Sequence, residues 1–380
     1  MFSKEARLGL RTWIEIDKEA IARNYRIFRS MIPEGTKLMS VVKSNAYGHG
    51  LVDFSKEITG LGVDWIGVDS IVEGLRLRKE GITTPMLVLG YTLLERMQEA
   101  VDQNISITIS NSDTAERLKA LNLNGKVKAH IKIDSGMHRQ GFMDHDRDGI
   151  TSFLKEHSDL IEVEGLYTHF ASAKDPNDPA STMKQVELFK EWIAVFKEAG
   201  FNPITHASAT GATLLFPEAA FDIVRVGIGM HGIWPSAEIK QFMEGKDQLK
   251  PTLAWKTIIS EIKTIPAGAK IGYDFTEEVS RETKMAVCPI GYWHGIPRSL
   301  SSKGTLLVNG VKARILGRVS MDMIVIDVTD VPEPKIGDEA VIIGQSGDQY
   351  ISADEVATMA QNSTYEFITR INPLIKKIYI

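Results

Sequence analysis

An α/β fold, with an N-terminal (β/α)8 TIM barrel followed by a C-terminal mainly-β domain, is predicted by three features of this sequence. Strand-like apolar runs recur eight times between residues 37 and 230. Charged, amphipathic stretches with helical spacing separate them. Beyond about residue 240 the texture changes to short alternating runs broken by turn signals.

The elements follow in order. Residues 11–17 are extended and precede the first helix, which makes them candidates to pair with the C-terminal sheet although they open the barrel domain, set at 11–242. Asp17 can cap a helix on which Ile21, Tyr25 and Phe28 fall at i, i+4 and i+7. The strand-like runs lie around 37–43, 63–69, 85–90, 105–109, 127–134, 161–170, 203–208 and 222–230. Between them, 71–80, 93–102, 112–121 and 183–199 read as amphipathic helices. Eight such units in about 230 residues suit a barrel, which typically takes ~250. A doubly wound sheet would need a Gly-rich dinucleotide turn after its first strand, and the sequence has none there.

The stretch 243–251 is charged and linker-like, so the second domain is set at 243–380. Its runs are 253–259, 285–288, 305–308, 323–328 and 340–343. Pro266-Ala267-Gly268, Asn309-Gly310, Gly337-Asp338 and Gly347-Asp348 mark turns between them, as expected of a mainly-β domain.

With 380 residues, 43% of them hydrophobic, the chain can bury the cores of two domains. A net charge of −5 and a pI near 6.0 give no electrostatic footprint for nucleic acid or an anionic membrane. Cys288 is the only cysteine, which excludes intramolecular disulfides and multi-cysteine metal sites; no metal is expected. The first residues contain no signal-like apolar core, and no stretch approaches the ~20 apolar residues of a membrane span. A cytoplasmic protein is the expectation.

Barrel chemistry gathers at the carboxyl ends of the strands, with phosphate often held after strands seven and eight. Lys43 ends the first apolar run and opens the loop Ser44-Asn45-Ala46-Tyr47-Gly48-His49-Gly50. A lysine stem beside β-branched residues, its amine facing a small Gly-rich loop, can lose part of its charge by desolvation and act as nucleophile or base. Asp134 to Arg139 ends strand five and His169 ends strand six. His206 to Thr213 leaves strand seven, and Arg225 to Gly229 ends strand eight. Small residues, hydroxyls and free backbone N–H groups there are what a phosphate cradle needs. His49 and His206 read as loop-shaping residues, His138 as a solvent-side neighbour of Arg139, and Lys132 as a barrel-interior lysine that can pair with Asp134.

The segment VVKSNAYGHG around Lys43 strongly resembles the cofactor lysine segment of the alanine racemases. IKIDSGMHR, GLYTHFA, HASATGAT, VRVGIGMHG, GYDFT, PIGYWHG and LGRVSMD stand in the same order as in that family, so the resemblance covers nearly the whole chain. It implies a pyridoxal 5'-phosphate-dependent enzyme in which Lys43 carries the cofactor as a Schiff base. Tyr47, Thr210, Gly227 and Ile228 would hold the phosphate, and Arg225 would face the pyridine nitrogen. His169 would lie near the ring and hydrogen-bond Arg225. Arg139 would touch the phenolic oxygen and help bind the substrate. Lys132 matches a position that can be carbamylated to steady Arg139.

The same resemblance implies a two-base reaction on a small amino-acid substrate, L- and D-alanine, with Lys43 on one face and Tyr273 on the other. Tyr273 would come from a second subunit of a head-to-tail homodimer. Met321, through its backbone N–H to the substrate carboxylate, Asp322 and Tyr292 would arrive with it. D-Alanine for peptidoglycan would be the product.

The sequence also departs from the family. Pro373 takes the place of the C-terminal phosphate tyrosine, with Tyr365 and Tyr379 nearby but out of register. Lys174 stands where many relatives carry an acidic residue in the substrate entryway, and His294 replaces an Asp in the Gly-Tyr-x-Asp-Gly segment. Both changes make that corridor less acidic and suggest relaxed specificity that admits serine. Two alternatives stand beside this reading, a barrel-fold pyridoxal-phosphate decarboxylase and a non-catalytic pyridoxal-phosphate carrier. Arg225 in place of an acidic partner argues against the first, and the long β segment with Tyr273 against the second.

Overall fold

Eight parallel strands close into a barrel in the computed structural model, which describes Arg7 and residues 9–380. The first strand of the chain, β1 (Thr12–Ile16), lies outside that barrel. The barrel strands are β2 (Lys37–Val41), β3 (Trp65–Val68), β4 (Met86–Val88), β5 (Ser106–Ile109), β6 (Val127–Lys132), β7 (Ile161–Tyr167), β8 (Ile204–Ala209) and β9 (Ile223–Val226). Closure comes from β2 pairing in parallel with β9, with Met39 beside Arg225. Every residue of β3, β4, β5 and β9 is buried. Both faces of such a sheet are covered, so its strands read as continuous apolar runs rather than alternating ones.

By contacts the chain divides into two units. One comprises residues 19–46 and 51–251 and contains the barrel; the other comprises, of the described residues, Arg7, 9–18, 47–50 and 252–380. The helix Lys18–Met31 begins directly after Asp17 and buries Ile21 and Phe28; Tyr25 sits at its edge, donating its hydroxyl to Gly62 O at 3.1 Å. The charged stretch 243–251 is not a free linker. Buried Asn24 donates to Lys250 O at 2.8 Å and accepts from Lys250 N at 2.9 Å, and Arg23 donates to Gln248 O. These bonds hold the stretch to the barrel unit, so the division falls after Pro251 rather than after residue 242.

In the second unit, the sheet runs in the spatial order 261–265, 283–288, 324–327, 311–316, 305–308, 339–346, 253–258, β1 and 377–379. β1 pairs antiparallel with Leu253–Ile258 and parallel with Lys377–Tyr379. Two short helices, Ala353–Met359 and Thr364–Thr369, interrupt the otherwise β character. Ser352 and Ser363 cap them by accepting from Glu355 N and Glu366 N at 3.0 and 3.1 Å.

Candidate active site

Lys43 sits at the carboxyl end of β2, where the backbone makes an uncommon turn. Ser44, Asn45, Ala46 and Tyr47 all have φ between 50° and 58°, a left-handed turn made without glycine. Such a conformation costs roughly 1–2 kcal/mol per residue and persists only where surrounding bonds over-determine it. Glu73 provides one of those bonds, accepting from Asn45 N at 3.3 Å, and its other carboxylate oxygen accepts from Asp69 N at 2.8 Å. The Asn45 side chain accepts from Leu51 N at 2.9 Å, closing the loop. Lys43 Nζ lies 3.7 Å from Asp69 Oδ1 with its side chain 40% exposed. A carboxylate thus faces this amine, whose stem is partly withdrawn from solvent.

Tyr47 to Gly50 belong to the second unit. The Tyr47 ring stands 6.3 Å from that of Tyr365, and burial pushes its phenol up to about 12. Tyr379 donates its hydroxyl to His49 O at 3.1 Å, and His49 Nδ1 lies 3.2 Å from Tyr47 O, a loop-shaping contact. Tyr365 and Tyr379, both out of register with Pro373, thus each approach this loop.

At the ends of β6 and β7, Lys132, Arg139 and His169 share one small cleft with Asp134 and Gln140. Lys132 donates to Gln140 Oε1 at 3.0 Å. Burial, with the Arg139 and Arg225 charges adding to it, lowers its amine to about 8. Asp134 has other work: its carboxylate accepts from the backbone N–H groups of Gly136, His138 and Arg139, which shapes the loop that carries Arg139. His138 itself is exposed, at φ 52°.

Arg225, at the end of β9, is buried, and burial lowers its guanidinium to about 10. It donates through Nη2 to Thr168 O and Ala207 O at 2.8 and 2.6 Å, and His169 Nδ1 lies 3.2 Å from the same nitrogen. His169 is held well below the ordinary imidazole value by burial and by four nearby cations, Arg225, Arg139, Lys132 and Lys43. A neutral imidazole surrounded by cations is a site suited to anions. Arg225 Nη1 also lies 2.8 Å from His206 Nδ1. His206 is a buried partner of this arginine rather than a loop-shaping residue.

Thr210 opens the short helix after β8, and its hydroxyl accepts from Gly227 N at 3.2 Å and Gly229 N at 3.4 Å. The Thr210 hydroxyl thus ties the start of this turn to the helix after β8. The threonine keeps its own proton to donate. Ile228 begins the tight turn Ile228–His231. A Cβ on Gly229 would meet the Phe28 ring at 2.4 Å, so only glycine fits that close approach.

The second unit presents its own polar and aromatic group. Tyr273 is 68% exposed, on a turn where Asp274 and Phe275 have φ of 59° and 50°. Arg318 holds that turn through Asp274 at 2.7 Å. Tyr292 N donates to Ser320 O and Trp293 N to Met321 O, which brings the 291–295 turn beside Met321 and Asp322. His294 is not a corridor residue. It is buried, its Nδ1 accepting from Gly291 N at 3.1 Å, so its exchange for Asp rebuilds the turn rather than the charge of an entryway.

Profiles described as "Alanine racemase, N-terminal domain" and "Alanine racemase, C-terminal domain" match residues 16–235 and 252–379. The alanine racemase of Leptospira interrogans is 38% identical over 376 residues, covering 97% of this chain and 96% of its own. That of Halothermothrix orenii is 37% identical and covers 98% of each chain. The crystal structure of alanine racemase from Bacillus anthracis with bound L-Ala-P superposes with a TM-score of 0.91 at 36% identity, covering 97% of this chain and 95% of that one.

Proposed function

Because the chain belongs to the alanine racemase family, we propose that it interconverts L- and D-alanine with pyridoxal 5'-phosphate and two bases, Lys43 and Tyr273 of a second copy. The donor set fits that cofactor. Four cations act on His169, and Thr210 keeps a hydroxyl proton beside the Gly227–Ile228 turn, so anionic oxygens have partners on both sides. Lys43 would hold the cofactor through its amine, Tyr47, Thr210, Gly227 and Ile228 its phosphate, and Arg139 its phenolic oxygen. When bound, the cofactor supplies electron withdrawal from the substrate's Cα–H bond.

Arg225 would aim an N–H at the ring nitrogen. A guanidinium keeps its proton, so that nitrogen stays unprotonated, which favours brief proton removal and return over transamination. Racemisation needs proton exchange on both faces of Cα, since one base returning its own proton regenerates the starting enantiomer. Lys43 would serve one face and the Tyr273 phenol the other. Arg139 and, from the second copy, the Met321 N–H would hold the substrate carboxylate, with Lys132 and the second copy's Tyr292 and Asp322 in support.

The observation that carries this reading is the cationic cluster around His169, set beside a Lys43 turn held in a strained left-handed form. A head-to-tail homodimer is supported by the exposed Tyr273, Phe275, Trp293, Met321 and Met323 of the second unit. Against a decarboxylase using a catalytic thiol stands Cys288, buried, with burial pushing its thiol up to about 12. Admission of serine rests on Lys174 alone, now that His294 is turned inward. No helix among the described residues is long and apolar enough to cross a membrane. A cytoplasmic supply of D-alanine for peptidoglycan completes the proposal.

Subunit complementation tests it. Lys43→Ala and Tyr273→Phe chains, each inactive alone, should regain roughly a quarter of wild-type activity when mixed and reassembled, since about half the dimers are mixed and carry one intact site of two. No recovery, from chains shown to exchange subunits, would place both bases in one chain or remove one of them.

A further inference from the structure

Behind Arg225 runs a line of buried polar side chains that the proposed reaction does not use. His206 Nδ1 faces Arg225 Nη1 at 2.8 Å, and His206 Nε2 faces His130 Nδ1 at 2.7 Å. His130 Nε2 in turn faces Glu164 Oε2 at 3.2 Å, and the same carboxylate accepts from the Ser106 hydroxyl. Lys128 Nζ stands 3.9 Å from the other carboxylate oxygen. Both histidines have no exposed surface.

The two ends of this line have single roles. A guanidinium has donors and no acceptor; an ionised carboxylate has acceptors and no donor. Starting from Arg225, His206 Nδ1 must accept, so His206 Nε2 carries the proton and donates to His130 Nδ1. His130 Nε2 then carries its proton and donates to Glu164. Starting from Glu164 gives the same assignment in reverse. Neither ring can be turned over without setting donor against donor at one end. Burial holds both imidazoles below their ordinary value, with Arg225 adding to the effect. Burial pulls Glu164 upward, but the bonds from His130 and Ser106 outweigh it and hold that carboxyl below its usual range.

The packing is built around these rings. His206 stacks on Tyr167 at 4.7 Å and 7°, and the Trp65 ring meets His130 edge-on at 5.3 Å. A Cβ on Gly165 would lie 2.2 Å from His130 Nδ1, so the strand beside the ring has room only for glycine.

We propose that Glu164, His130 and His206 are positioning residues, a hydrogen-bond chain of fixed polarity that couples the Arg225 guanidinium to the Glu164 carboxylate as its counter-ion. The chain holds the guanidinium in one orientation, with its remaining N–H groups aimed away from His206. That this direction is the cofactor's ring nitrogen rests on the function proposed above; the polarity of the chain does not.

Nitrogen-15 NMR of histidine-labelled, cofactor-free protein tests the polarity directly. His130 and His206 should both be neutral, with Nδ1 unprotonated and Nε2 protonated, and Glu164→Gln, which keeps an acceptor oxygen, should leave that pattern in place. An imidazolium, or a proton on either Nδ1, would overturn the chain whether or not the protein racemises anything. In the loaded enzyme, Glu164→Leu should change the cofactor's absorption and lower kcat by about 10-fold or more at unchanged KM, with Glu164→Gln largely restoring both. A folded Glu164→Leu protein with wild-type absorption and kcat would overturn the positioning role. Failure to bind pyridoxal phosphate at all would refute the proposed function while leaving the NMR result to stand or fall alone.

Discussion

Lys132 Nζ is hydrogen-bonded to Gln140 Oε1 at 3.0 Å in a cleft it shares with Arg139, and its amine is lowered to about 8. The unfolded chain, with this lysine near 10.5, binds the proton more tightly across the window from about 8 to 10.5. Stability should therefore rise with pH through that window, and the Lys132 contribution should be at its most unfavourable below it. Lys132→Met should remove this rise and stabilise the neutral-pH protein by on the order of 3 kcal/mol, less any packing loss. Denaturant unfolding of both proteins on either side of the window checks it. The partly neutral amine is also suited to take up carbon dioxide. Intact mass of protein held in bicarbonate should show one added carboxyl group that Lys132→Met lacks.

The left-handed turn after Lys43 stores strain that a glycine would relieve. Ser44 is exposed at φ 55°, so Ser44→Gly should stabilise the protein by about 0.5–1 kcal/mol, whereas β-branched Ser44→Val should cost more than that. Thermal unfolding of the two variants decides the sign.

Arg225→Glu should slow alanine racemisation by ~10²-fold or more, as the loss of a preorganised donor in a buried site does elsewhere. A carboxylate facing the ring nitrogen should also favour its protonated form, the proton coming from solvent, and open a route to transamination, seen as pyruvate released from alanine. Unchanged racemisation without pyruvate would mean that Arg225 does not face the ring.

Turnover of L-alanine and L-serine should differ by no more than ~10²-fold, because an apolar pocket rejects one added hydroxyl weakly. A preference on the order of 10⁴ would refute relaxed specificity.

Much of this was legible in the sequence because barrel strands buried on both faces announce themselves as apolar runs. Counting those runs puts Lys43, His169 and Arg225 at the same end, and the structure brings His169 and Arg225 into contact. The His130–His206 pair was not legible. Its strands slip register between Ala129 and His130 and between His206 and Ala209, and such irregularities re-aim side chains in ways no alternation records. The edge strand Glu261–Ile265 carries a weak apolar signal because none of its residues is buried and two of the five are charged. The helices at 353–359 and 364–369 were signalled by Ser352-x-x-Glu355 and Ser363-x-x-Glu366, a start pattern easily overlooked within a β-rich segment. The part played by Tyr273 could come only from family resemblance, since an exposed tyrosine on a turn says nothing of a partner chain.

The most direct measurement is alanine racemisation by Tyr273→Phe, with cofactor content determined in the same samples. Full cofactor occupancy, borohydride fixation to Lys43 and racemisation slowed at least ~100-fold are expected if the phenol is the second base. Near-wild-type racemisation by that fully loaded variant would contradict the two-base account.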